Sequence, residues 1–88
     1  MKKTTLNIGD KVTVLWQDAI GESDGWHSAE GWDYTSMVAA SFITATGYFI
    51  KDYENCTFLA TNYRAGDDAM GHVMMIPNRS IIQIDKLK

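Results

Sequence analysis

The 88-residue chain has one cysteine, one proline, eight basic residues and no long apolar run. A lone cysteine, Cys56, cannot form an internal disulfide, so packing must hold the fold together and a reducing compartment is the expectation. No stretch approaches the roughly 18 apolar residues of a membrane span. The opening Met-Lys-Lys runs into TTLNIGDK, where a signal peptide would have an apolar core. A soluble cytoplasmic protein with no membrane partner is therefore expected. Basic residues are also scarce where a nucleic acid would need them. Lys2, Lys3, Lys11, Lys86 and Lys88 lie near the two ends, and between residues 12 and 85 ten acids face only Lys51, Arg64 and Arg79. Phosphate backbones are held by Lys and Arg that displace counterions, so this distribution argues against a nucleic-acid partner.

Motifs of reactive chemistry are missing as well. The acids Asp18, Glu22, Asp24, Glu30 and Asp33, with His27 among them, lack the alternating oxygen ligands around a glycine that calcium requires. Zinc needs clustered His and Cys, and neither His27 nor His72 begins an H-x-x-x-H spacing. Cys56, Ser28 and Ser36 have no base supplied by a recognisable nucleophile motif, and GDDAMG lacks the lysine and following helix of a phosphate-binding loop. These absences point to a non-enzyme with no catalytic residues, no metal and no cofactor.

What is present reads as one β-rich domain spanning residues 1–88, because a chain this short has room for a single core. Val12, Val14 and Trp16 alternate on one face of a first strand. A long loop follows, in which Asp33 caps a short helix through Tyr34, Met37 and Val38. SFITATGYFIKD and CTFLATNY then form a hairpin over residues 42–63, with Gly47 marking a bend or bulge. RAGDDAMG leads into HVMMI, an uninterrupted apolar run expected to be covered on both faces, either by barrel closure or by a partner. Pro77 stops that strand, NRS turns, and IIQIDKL is the last strand. The expected fold class is mainly all-β: a five-stranded SH3-like barrel with a long loop, carrying a short helix, between strands 1 and 2. An OB-fold is the nearest rival, but its usual helix between strands 3 and 4 has no counterpart in residues 64–71.

WQDA at 16–19, GW at 25–26, TGYFIKD at 46–52, FLATNY at 58–63 and IPNRSIIQI at 76–84 resemble a group of small phage- or prophage-encoded proteins. Members share a Trp-x-Asp-Ala start, a Gly-Trp in the next loop, a Gly-aromatic strand and an Ile-Pro turn. The likeness covers most of the chain and implies a similar fold and a phage origin, with the bacterial host cytoplasm as location. It implies no activity, and Gly31-Trp32 departs from the group's more acidic loop.

Two tryptophans and a proline are then assigned structural jobs: Trp16 in the core, Trp26 as a plug pinning the long loop, and Pro77 as the strand stop. Candidate ligand- or partner-binding residues are Trp32 and Tyr34 in the loop, Tyr63 and Arg64 where a strand ends, and Arg79 in the Ile-Pro turn. Arg64 pairs with an anionic ligand or with Asp67 or Asp68, and Arg79 is expected to add a second cation at the same end of the barrel. The reading that follows is a non-enzymatic, self-associating binding protein that offers an aromatic loop or cleft to a host protein or small-molecule ligand. Two alternatives stand beside it: a counter-defence protein that sequesters a nucleotide-derived immune signal, and an SH3-type module for proline-rich or basic peptides.

Overall fold

Alternation in the first strand sets the interior. In a computed structural model describing residues 5–21 and 25–87, Val12 and Val14 on β1 (Lys11–Gln17) are 0% exposed and Trp16 packs half-buried against the same cluster. Lys2, Lys3 and Lys88 of the terminal basic residues, and Glu22 and Asp24 of the acidic loop, lie outside the described residues. After β1 come α1 (Tyr34–Ala40), β2 (Phe42–Tyr53), β3 (Cys56–Arg64), β4 (Ala69–Pro77), a 3-10 turn (Asn78–Ser80) and β5 (Ile81–Lys86). All strand pairs are antiparallel, in one five-stranded sheet of order β4-β3-β2-β1-β5. Among the described residues the chain is thus mainly β, with a single α-helix between β1 and β2.

β2 is long because it serves two partners. Phe42 to Tyr48 pair with β1, whereas Tyr48 to Tyr53 pair with β3, and the switch falls at Gly47–Tyr48. A side chain at Gly47 would place its Cβ 2.9 Å from the Ala60 carbonyl oxygen, so the crossing is close enough to require glycine. Just beyond, the β2–β3 register shifts between Phe49 and Lys51, and β1–β5 shifts between Leu15 and Trp16. Such irregularities increase local twist and bend the sheet. At the hairpin tip Glu54 and Asn55 both have positive φ, 53° and 62°, as a tight two-residue turn between right-twisted strands demands.

The bend curls the sheet over Val12, Val14, Phe49, Leu59, Ile76, Ile81 and Ile84. A flat sheet would leave β4 and β5 roughly 19 Å apart, four strand spacings, yet only the turn Asn78–Ser80 joins them. Ile76 and Ile81, on either side of that turn, are both buried, so the sheet curls there. Pro77 ends β4 as expected, and Thr57, fully buried, ties the turn down: its hydroxyl donates to Asp52 Oδ1 at 2.8 Å and sits 2.5 Å from Asn78 Oδ1.

The sheet is nevertheless not closed, because β4 and β5 are its two edges and no ladder joins them. The expectation that barrel closure covers HVMMI on both faces is corrected accordingly. Only Ile76 of that run is buried, while Val73, Met74 and Met75 are exposed. β4 pairs with β3 alone, and His72, with φ +55°, departs from strand geometry midway. Curling brings the edges together at the turn and leaves the rest of β4 bare.

Candidate functional site

The excursion between β1 and β2 leaves and re-enters the sheet at one point. Gln17 pairs with Phe42, the Asp18 amide donates to the Ser41 carbonyl at 2.9 Å, and Gln17 Nε2 donates to Ser41 Oγ at 3.0 Å. Within it, Asp33 caps α1 as the sequence predicts, accepting from the Ser36 amide at 3.0 Å and the Ser36 hydroxyl at 2.7 Å. Those two bonds, the backbone one foremost, hold the Asp33 carboxyl below the usual aspartate range. Tyr34, Met37, Val38 and Ser41 follow the i, i+3, i+4, i+7 spacing of an amphipathic helix. That stripe does not enter the core, for no residue of α1 is buried. Instead it lines, with Gln17 and Ile20, an open groove of about 210 Å³.

Trp26 is the largest departure from expectation. Assigned as a plug, it is fully exposed, because the core is already filled by the strand residues and the loop is tied at its ends. Trp32 is half-buried, and what packs on it is His27, with ring centroids 4.6 Å apart. Tyr34 is exposed, its ring positioned by a hydroxyl that donates to the Ala29 carbonyl at 2.6 Å. Ile20, Val38 and Phe42 are also exposed, and Ile20 and Val38 line the same groove as Tyr34. Sequence reasoning did not select Ile20, Val38 or Phe42 as site residues; the helical stripe through Tyr34, Met37 and Val38 was the available signal.

The remaining candidates lie elsewhere. Tyr63 is half-buried, its ring against Gly9 and 6.0 Å from the Tyr48 ring, and its hydroxyl donates to Asp68. That bond to a carboxylate raises the phenol above its usual range, so Tyr63 is engaged internally. Arg64 is held by Asp67 through two bonds, Nε to Oδ1 at 2.9 Å and Nη2 to Oδ2 at 2.8 Å. The guanidinium in turn lowers the Asp67 carboxyl, which also accepts from the Ala69 amide. Arg79 lies beyond β4 in a cleft of about 630 Å³ lined by Glu54, Asn55, Cys56, Pro77 and Asn78. The expectation that the two arginines share one end is corrected: Arg64 ends β3 while Arg79 sits beside its start, since the Asn78 amide bonds to Asn55. Trp16, the third anchor, joins the core, though its indole N–H is buried without a partner.

Among the described residues no three His, Cys, Asp or Glu side chains converge as metal ligands, and no helix is long and apolar enough to cross a membrane. Comparison with known protein families, curated proteins and solved structures found no match.

Proposed function

We propose that this chain is a non-enzymatic binding protein that captures a basic polypeptide segment on the aromatic face of residues 18–42. The observation that carries the reading is the exposure of large apolar side chains on one segment: Trp26 fully, with Ile20, Tyr34, Val38 and Phe42 also exposed, on a segment whose helix buries nothing. Free indole and phenol rings are disfavoured in water and enriched where partners dock. The groove of about 210 Å³ is smaller than the roughly 300–1,000 Å³ of small-molecule sites and suits a side chain of a bound peptide. No lysine or arginine occurs between residues 12 and 50, whereas the same segment carries Asp18, Glu30 and Asp33. Such a field steers and orients positive sequences. The strand order, the 3-10 turn before the last strand and the long first loop support an SH3-like architecture, here incompletely closed. The resemblance to small phage proteins makes a bacterial host protein the natural source of the partner.

Sequestration of a nucleotide-type signal draws less support, because Arg64 is occupied by Asp67 and Arg79 shares its cleft with Glu54. Fluorescence anisotropy with a panel of lysine/arginine-rich, proline-rich and acidic peptides tests the proposal. Basic peptides should bind in preference to acidic ones, more weakly at higher salt. The double variant Trp26→Ala/Tyr34→Ala should lose at least about tenfold in affinity with an unchanged melting curve. Equal binding of acidic and basic peptides, or full affinity in the folded double variant, would overturn it.

A further inference from the structure

The two edges of the sheet are chemically unlike. β5 presents Gln83, Asp85 and Lys86 along six residues, the kind of charge that keeps a free edge from pairing. β4, AMGHVMMIP, has no acid, lysine or arginine in nine residues and exposes Met70, Val73, Met74 and Met75. A long, apolar, unprotected edge is a template for another strand. We infer that β4 is a dimerisation edge that pairs antiparallel with β4 of a second copy of this chain.

Hydrogen-bond parity identifies which groups are free. The Asn78 amide bonds to the Asn55 carbonyl, so even-numbered positions continue the ladder toward β3 and odd-numbered ones point outward. Pro77, which lacks an N–H, falls on the outward set, where a strand proline is tolerated. Val73 and Met75 therefore direct their amides and carbonyls away from β3. A two-fold axis through Met74 sets Val73 opposite the partner's Met75, and the reverse, giving two reciprocal hydrogen-bonded pairs. His72, at φ +55°, bends the chain beyond them and limits the length of pairing.

A second copy fits for reasons of charge and area. Two-fold pairing sets the strand against its own copy, Met74 against Met74 and Val73 against Met75, an arrangement that repels when the strand carries like charges and does not when it is neutral. On one face, Met75 already neighbours Phe58 across β3, so the partner's Val73 would extend that apolar strip. On the other, Met74 lies beside Leu59, Gly47 and Ala45 in a shallow groove, and the partner's Met74 would meet it at the axis. From their exposures, 51, 46, 39 and 53%, Met70, Val73, Met74 and Met75 offer on the order of 350 Å² per protomer. The pair then buries roughly 700–1,000 Å² with its flanks, at the lower end of specific interfaces, which defines a weak, concentration-dependent dimer.

Sedimentation velocity of the full chain from roughly 1 µM to 1 mM tests this, the range in which a weak dimer dissociates and forms. The mass should rise from 9.9 kDa toward twice that value. Met75→Lys should weaken association at least about tenfold, while Ile82→Lys on the opposite edge leaves it unchanged. Hydrogen exchange on the wild-type chain provides a reading free of any variant's folding: the Val73 and Met75 amides should gain protection as concentration rises. A 9.9 kDa species throughout the range, or a dimer formed without protection at Val73 and Met75, would overturn the inference.

Discussion

Gly47→Ala is the sharpest probe of the strand crossing. One added carbon would lie 2.9 Å from the Ala60 carbonyl oxygen, 3.5 Å from its carbon and 3.8 Å from Leu59 Cβ. Ordinary contact requires about 0.5 Å more, and the obstructing atom is backbone fixed in the β2–β3 ladder, so it cannot rotate aside. Overpacking of this kind costs about 1–3 kcal/mol. Alanine narrows the unfolded ensemble and returns about 0.4–1 kcal/mol, leaving a net loss of about 1–2 kcal/mol. At about 4–8 °C per kcal/mol for a domain of this size, Tm should fall by roughly 5–15 °C. Thermal unfolding followed by near-ultraviolet circular dichroism, with urea midpoints alongside, measures the difference. Gly66→Ala serves as the reference, since nothing lies within 4 Å of its added carbon. A Gly47→Ala protein as stable as the Gly66→Ala protein would refute the close crossing and with it the account of how β2 changes partners.

Other expectations concern the turn and the helix cap. Thr57→Val keeps the shape of a fully buried side chain but removes the hydroxyl that Asp52 Oδ1 and Asn78 Oδ1 share. A loss of about 1–2 kcal/mol in urea unfolding is expected, and an unchanged midpoint would remove Thr57 from the anchoring of β5. Because the Asp33 pKa is depressed in the folded chain, its capping contribution is complete above the unfolded aspartate value and is lost as pH falls through the lower folded value. The Ser36 amide resonance should accordingly shift on acidification below the usual aspartate range, and Asp33→Ala should abolish that response.

Local chemistry made much of this fold legible. Alternation at Val12, Val14 and Trp16, the Gly47 bend, the Pro77 stop and the Asp33 cap are each decided within a few residues, and each appears where the spacing puts it. Closure of the sheet is different in kind. It depends on whether β4 meets β5, two segments that pair with other strands and carry no local signal of their mutual distance. The apolar run HVMMI was open to two explanations, and its sequence is equally that of a covered strand and of a bare edge. Trp26 failed for a related reason, since an indole records that surface must be covered and not by whom. The separation of Arg64 from Arg79 was accessible in principle: once β3 and β4 are recognised as a hairpin, residues flanking its open and closed ends must lie a strand's length apart.

The single doorway at Gln17, Asp18 and Ser41 decouples the excursion from everything it interrupts. The described residues between 19 and 40 supply no member of the buried cluster, so their spelling is free to drift, lengthen or be exchanged while the strands keep their register. A lineage under pressure to follow a changing target would find its variation there. For the same reason a foreign recognition segment spliced between Asp18 and Ser41 should be carried by this scaffold as a removable cassette.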